Sequence, residues 1–116
     1  MKKRSCILRR KEEDNMSPLK VRIDRKKLEK AAYVLKCIAH PVRISIIDLL
    51  QQQERLTVST LQDALQIEQS LLSHHLTNMR DKGVVGTQRE GKNVYYFLID
   101  AAVPDLISYI NSSRIL

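Results

Sequence analysis

The hydrophobic pattern of this 116-residue chain changes its period at Gly83. Upstream of this glycine, apolar residues recur every three to four positions, which is the spacing of amphipathic helices. Downstream, two β-prone runs at 84–89 and 94–99 flank a turn at 90–93 that contains Gly91. Two short runs joined by such a turn predict a β-hairpin. We therefore expect a mainly α-helical fold with a small β-hairpin.

The first two predicted helices meet at His40 and Pro41. Asp24 is a suitable N-cap for the first helix. Helical backbone is disfavoured before a proline, so this helix should end near His40, whose side chain is expected to cap or pack at the junction. Pro41 suits the first turn of the second helix. That helix is apolar on nearly every side, which predicts burial at the centre of the domain; its apolar residues are Val42, Ile44, Ile46, Ile47, Leu49 and Leu50.

Two further helices precede the hairpin. A short one is expected within 56–65 and is capped either by Thr57 or by a capping box of Ser59 and Gln62. A longer one is expected over 68–82, with Gly83 as the helix-ending glycine. The buried residues predicted for this longer helix are Leu72, Leu76 and Met79.

A last helix is predicted after the hairpin. Pro104 suits its first turn, and Ile107 and Ile110 lie on one apolar stripe that is expected to continue to Leu116. Helices, a hairpin and a closing helix, in this order, predict a winged helix-turn-helix.

Basic residues are concentrated near the N-terminus. The chain has 20 Lys and Arg against 13 Asp and Glu, a formal net charge of +7. Residues 1–30 hold twelve of the basic and five of the acidic residues, so residues 31–116 are neutral. A positive excess favours nucleic acid or another anionic surface as a partner. We divide the chain into a basic extension at 1–23, either a solvated tail or an arm that contacts DNA or a partner subunit, and a folded domain at 24–116.

The sequence excludes several classes of protein. No apolar run approaches the length of a membrane span, and the N-terminus lacks the apolar core of a secretory signal. Two cysteines without such a signal indicate a reducing cytoplasm rather than a disulfide scaffold. No Ser/His/Asp order, paired carboxylates in a cleft-forming context or glycine-rich phosphate loop is visible. We therefore expect a cytoplasmic protein that is not an enzyme and has no membrane partner.

The helix predicted over 68–82 has a polar face suited to DNA. The second helix of a helix-turn-helix enters the major groove, so one side must be apolar and the other hydrogen-bonding. Solvated helix faces are usually dominated by Glu, Lys and Arg, whereas this one is rich in Ser, Gln, His and Asn. Two cations near the hairpin tip are placed to reach phosphates or the minor groove. The candidate DNA-binding residues are Gln69, Ser70, Ser73, His74, Thr77, Asn78, Arg80, Arg89 and Lys92.

Four segments resemble the ArsR/SmtB family of bacterial repressors. Residues 69–76 (QSLLSHHL) and 79–85 (MRDKGVV) resemble the recognition helix of that family, 38–44 (IAHPVRI) the entry to its central helix, and 89–96 (REGKNVYY) its wing. The resemblance covers about residues 28–110. It implies a repressor that forms a homodimer through its first and last helices and binds double-stranded DNA at a palindromic operator.

The usual metal sites of that family are not preserved. Thr57, Val58 and Ser59 stand where a Cys-x-Cys motif is expected, and hydroxyls are poor ligands for the metals that thiolates hold. At the other site, Asp100 matches the first ligand, but Ala102 stands near where a histidine is expected. We therefore expect no metal and no cofactor, and the sequence does not indicate an effector.

The cysteines leave one alternative open. A Cys6–Cys37 disulfide, or modification of Cys37, would make the protein a thiol-responsive repressor, whereas otherwise Cys37 is a small buried apolar residue. A second alternative is a winged-helix protein-interaction module, in which the polar helix face is plain surface. Of the adjacent histidines, which point about 100° apart on a helix, His74 is expected to face DNA and His75 the domain.

Overall fold

The computed structural model describes residues 18–100 and 103–116. The chain divides into two units, Met1–Tyr33 and Val34–Leu116, and the elements that follow α1 all belong to the second unit. The mainly α-helical fold with a small hairpin is confirmed. The described residues form α1 (Arg25–Ile38), α2 (Pro41–Gln52), β1 (Leu56–Thr57), α3 (Val58–Leu65), α4 (Gln69–Asp81), β2 (Val85–Glu90), β3 (Asn93–Leu98) and α5 (Pro104–Ser112).

The hairpin is part of an antiparallel sheet with the strand order β1-β3-β2. Strands β2 and β3 pair with Val85 opposite Leu98. Their two-residue turn begins at Gly91, whose φ of 64° suits the first position of a type II′ turn. Strand β1 pairs with the other edge of β3, with Leu56 opposite Tyr96. This strand was not predicted, because two residues are too few to show an alternating pattern.

The core is built around α2. Ile46, Ile47 and Leu50 of this helix are buried. The expected burial on nearly every side of α2 is only partly right, because Ile44 is half-buried and one side of the helix stays open in the single chain. The inner side of α2 belongs to a cluster whose other fully buried large side chains are Leu61, Leu72, Leu76, Met79, Val84 and Val85.

Side-chain caps fix the helix boundaries. Oδ2 of Asp24 and Nδ1 of His40 each accept a hydrogen bond at 3.1 Å from the backbone N–H two residues later. Helix α3 is capped by Thr57, whose Oγ1 accepts at 3.3 Å from the N–H three residues later. The alternative capping box at Ser59 is wrong, because α3 has already begun at Val58.

Helix α5 ends earlier than the sequence suggests. The expected continuation to Leu116 is wrong, since the helix ends at Ser112 and Ile115 is exposed. The Oγ of Ser112 donates to the carbonyl oxygen of Ser108 at 2.8 Å, and Ser113 has extended backbone. The Oγ of Ser113 accepts from the N–H of Ile115 at 3.3 Å, a local bond that replaces a helical hydrogen bond of that N–H.

Candidate nucleic-acid interface

Helix α4 has the two-sided character that the sequence predicts. Leu72, Leu76 and Met79 are fully buried and fix its inner side in the core. Because side chains three and four positions apart lie on the same face of a helix, the polar residues between them point outward. The exposed candidate residues are Gln69, Ser70, Ser73, His74, Thr77 and Arg80, whereas Asn78 is half-buried.

A tight turn connects α3 to α4. Gln66, which follows α3, has left-handed backbone with φ 55° and ψ 50°, and its N–H donates to the carbonyl oxygen of Gln62 at 2.7 Å. Its Nε2 donates to the carbonyl oxygen of Asp63 at 2.8 Å. The short connection is typical of a helix-turn-helix. The left-handed residue was not foreseen, because the usual signals for it are Gly and Asn.

The end of α4 leads directly into the hairpin. Gly83 has a φ of 80°, and its N–H donates to the carbonyl oxygen of Arg80 at 3.0 Å. The N–H of Val84 donates to the carbonyl oxygen of Met79 at 2.9 Å. These contacts confirm Gly83 as the helix-ending glycine. They also fix the direction in which the chain leaves α4 for β2.

Two of the candidate residues interact on the outer side of α4. Nδ2 of Asn78 donates to the carbonyl oxygen of His74 at 3.1 Å and lies 3.4 Å from Nε2 of the same residue. The half-buried carboxamide therefore supports the exposed imidazole. His74 is the member of this pair that reaches furthest into solvent.

The hairpin carries cations near its tip. Arg89, on β2, and Lys92, in the turn, are both exposed. Neither forms an ion pair with a carboxylate of the described residues. Their positive charges are therefore available to an anionic partner.

Arg55 is a functional candidate that the sequence analysis missed. Its guanidinium lies 4.1 Å from the ring centroid of Tyr95 and pairs with the carboxylate of Glu90 at 2.9 Å. The hydrogen bond from Arg55 lowers the pKa of the Glu90 carboxyl, and the same bond raises the pKa of Arg55. The positive charge of Arg55 thus offsets the negative charge of Glu90, the one acidic residue of the hairpin tip. Only the pairing of β1 with β3 brings these residues together, so the unforeseen strand β1 was the missing signal.

The cysteines and the inward histidine lie apart from the polar face. His75 is buried, as expected. Cys37 is a free thiol that is 6% exposed, and Nη1 of Arg43 lies 3.7 Å from its Sγ. Cys6 lies outside the described residues, so the structure does not test a bond between the two cysteines. The low exposure of Cys37 favours its interpretation as a small core residue, because buried thiols are poorly accessible to oxidants.

A separate apolar cleft of about 260 Å³ lies between α2 and α5, beside the end of α1. Leu35, Leu106 and Tyr109 border it and are 50%, 37% and 57% exposed. These side chains leave apolar surface uncovered in the single chain. The cleft adjoins the open side of α2, and its other lining residues include Ile38, Ile44, Ile47 and Ile110.

Two negative findings apply to residues 18–100 and 103–116. Within these ranges, no group of three or more His, Cys, Asp or Glu side chains is arranged to hold a metal ion. Within the same part of the chain, none of the helices has the length and apolarity that crossing a bilayer requires.

Comparison with known proteins identifies relatives along most of the chain. The family described as "Bacterial regulatory protein, arsR family" matches residues 40–87. The transcriptional repressor PagR of Bacillus anthracis is 34% identical over 90 residues, which are 78% of this chain and 90% of PagR. The transcriptional activator HlyU of Vibrio cholerae is 33% identical over 95 residues, which are 82% of this chain and 87% of HlyU.

Solved structures of these relatives share the fold. The TM-score is 0.71 for HlyU, with 80% of this chain and 100% of that chain covered. For PagR the TM-score is 0.70, and the match covers 76% of this chain and 100% of the PagR chain. A homodimeric winged helix-turn-helix DNA-binding domain from Mycobacterium bovis gives a TM-score of 0.68 at 26% identity, with 84% and 94% covered.

The helix-turn-helix, the outward polar side of α4 and the hairpin wing define a winged helix-turn-helix DNA-binding protein. Proteins of this class regulate transcription and are not enzymes. The chain belongs to the arsR family of bacterial regulatory proteins. The resemblance found in the sequence motifs is therefore confirmed.

Proposed function

We propose that this protein is a cytoplasmic repressor that binds a palindromic operator as a homodimer. The observation that carries the proposal is the outer side of α4, where short polar side chains are exposed; the wing cations Arg89 and Lys92 are exposed as well. Short side chains allow a helix to approach base edges closely, and cations contact phosphates.

In the proposed complex, α4 of each subunit lies in the major groove, and the two helices are about 34–36 Å apart along the DNA. Ser70, Ser73 and His74 contact bases or phosphates, with Gln69, Thr77, Asn78 and Arg80 around them. The wings contact the flanking backbone through Arg89 and Lys92. The basic extension at 1–23 adds attraction to phosphates that does not depend on sequence.

A second copy of the chain is the proposed occupant of the apolar cleft. Leu106 and Tyr109 of α5 and Leu35 of α1 expose apolar surface on one side of the domain. A homodimer through the first and last helices would bury this surface and place two α4 helices symmetrically, as a palindromic site requires. The domain from Mycobacterium bovis, similar in fold, is described as homodimeric, which supports a homodimer here.

Repression follows from the position of such a dimer on DNA. A protein bound across two successive major grooves blocks access of other proteins to the same segment. PagR, a relative over 90% of its own length, is named a repressor, whereas HlyU, over 87% of its own length, is named an activator. The proposal follows PagR because binding across both grooves is sufficient by itself to block other proteins. Neither a metal nor a cofactor is part of the proposal.

The test is a selection of duplexes from a random library by the purified full-length protein. The expected result is an enriched palindrome with half-sites about 10 base pairs apart. The logarithm of the affinity should fall linearly with the logarithm of the salt concentration, with a slope of about −0.9 per phosphate neutralised. A library without enrichment, together with binding that does not respond to salt, would contradict the proposal and favour a protein-interaction module.

A further inference from the structure

A hydrogen-bond network joins α4 to two other helices of the domain. Nε of Arg43, in α2, donates to Nδ1 of His75, in α4, at 2.9 Å. Nη1 of the same guanidinium donates to the carbonyl oxygen of Cys37, in the last turn of α1, at 2.8 Å. The Cys37 thiol lies 4.0 Å from the carbonyl oxygen of Asn78, which is again in α4. Arg43, in the first turn of α2, therefore links the last turn of α1 to the middle of α4.

His75 is enclosed on the inner side of α4. It is 4% exposed, and its ring centroid is 4.5 Å from that of His40, which is itself held in place as the N-cap of α2. His75 directly follows His74 and Ser73, two of the proposed DNA contacts. Because the helix is rigid over so short a distance, the bond at His75 also fixes where these two residues stand.

The chemistry of the bond sets the protonation state of His75. A guanidinium only donates hydrogen bonds, so Nδ1 must be an unprotonated acceptor, and a neutral ring then carries its proton on Nε2. We propose that Arg43 and His75 are positioning residues that hold α4 in its DNA-binding orientation, and that they do so only while His75 is neutral. The inference rests on the proposed function, because it concerns the same surface.

The groups around His75 oppose its protonation. Burial is the main cause of its lowered pKa, followed by the positive charge of Arg43 and the neighbouring rings of His40 and His74. The side chain that α1 contributes to these surroundings is the Cys37 thiol, whose Sγ contacts the guanidinium of Arg43. No carboxylate appears among the groups that shift this pKa. A proton on Nδ1 would break the bond from Arg43 and add a second positive charge beside it.

The sign of the pH effect follows from the lowered pKa. The bond is fully formed above the ordinary histidine pKa of 6.5 and is lost as the pH falls through the lower pKa of folded His75. A proton gained by an exposed group that faces the DNA would instead strengthen attraction to phosphates. Weaker operator binding in acid is therefore the specific signature of the buried pair.

The experiment measures Kd at constant ionic strength for a duplex selected by the wild-type protein at a pH of about 7.5. The Kd at an acidic pH at which nitrogen-15 NMR shows His75 to be protonated should be about tenfold higher, the size expected for losing one hydrogen bond with a charged donor. His75→Gln offers an oxygen to Arg43 that is not protonated in this range, so the ratio of the two Kd values should fall below about threefold. His40→Asn removes one neighbouring imidazole, keeps a side-chain oxygen for the cap of α2 and leaves the bond from Arg43 in place, so its ratio should be about tenfold or more.

Two results would overturn the inference while leaving the proposed function intact. One is wild-type protein that binds its selected duplex as tightly in acid as at neutral pH. The other is His75→Gln with the same ratio as the wild type. Failure to select any duplex at neutral pH contradicts the proposed function instead.

A measurement on the wild-type protein covers the case in which His75→Gln does not fold. Nitrogen-15 NMR of histidine-labelled protein should show His75 as the Nε2–H tautomer near neutral pH, with Nδ1 unprotonated. A proton on Nδ1 under these conditions would exclude the bond from Arg43 and overturn the inference.

Discussion

A Cβ atom on Gly86 would stand 2.7 Å from Cζ of Phe97, its partner across the hairpin. The φ of Gly86 is not in the left-handed region, so this glycine is required by close approach rather than by backbone conformation. We expect Gly86→Ala to lower the free energy of unfolding by about 1–3 kcal/mol, because the ring must move to admit the methyl group. Urea denaturation followed by circular dichroism measures this change.

Phe97→Leu supplies the control for that prediction. With the ring absent, the added methyl group has room, so Gly86→Ala should cost less in the Phe97→Leu background than in the wild type. Equal costs in both backgrounds would show that the contact between the two residues is not the cause.

A second prediction concerns the N-terminal cap of α2. His40→Ala removes the Nδ1 that accepts from the backbone N–H of Val42 at 3.1 Å, and should lower the free energy of unfolding by about 1 kcal/mol. His40→Asn offers a side-chain oxygen for the same bond and should recover most of the loss. Equal destabilisation by Ala and Asn in urea denaturation would assign the effect to the ring rather than to the cap.

A third prediction concerns the apolar cleft between α2 and α5. Leu106→Glu places a carboxylate on surface that the proposed homodimer buries, so light scattering after gel filtration should show monomers at concentrations where the wild type is dimeric. Asn111→Glu adds the same charge at an exposed position of α5 that does not line the cleft, and should remain dimeric. A dimeric Leu106→Glu variant would mean that the interface lies elsewhere.

A fourth prediction concerns the cations of the wing. We expect the double replacement of Arg89 and Lys92 by glutamine to weaken the salt dependence of DNA binding. The slope of the logarithm of the affinity against the logarithm of the salt concentration should become shallower by about 0.9 for each phosphate that is no longer neutralised. The preferred DNA sequence should stay the same. Lys26→Gln with Lys27→Gln removes the same charge from exposed positions of α1 and serves as control. The wing would be excluded from the backbone contacts if both pairs changed the slope equally.

The sequence was sufficient to predict the features that depend on local patterns. The helical period of Leu72, Leu76 and Met79 correctly separates the inner from the outer side of α4. The inward direction of His75 follows from the same period. Gly83 and Gly91 mark the helix end and the turn, because both positions have a positive φ that favours glycine.

The missed features depend on contacts between distant residues. The bond from Arg43 to His75 spans 32 positions, and the ion pair of Arg55 with Glu90 spans 35. Such pairings depend on how helices and strands pack, which periodicity does not report. The early end of α5 was missed for the opposite reason, because the local bond of Ser113 with the N–H of Ile115 accompanies a departure from the helix that the longer apolar stripe does not indicate.

The most direct test of DNA binding through α4 is the affinity of Ser73→Glu for the duplex selected by the wild type. Ser73 is exposed on the outer side of α4, so a carboxylate there should repel the phosphates and abolish specific binding, with little change in stability. Gln51→Glu adds the same charge at an exposed position in α2 and should bind normally. Loss of binding by Ser73→Glu alone is the predicted result, whereas a folded Ser73→Glu variant with the wild-type Kd would contradict the account.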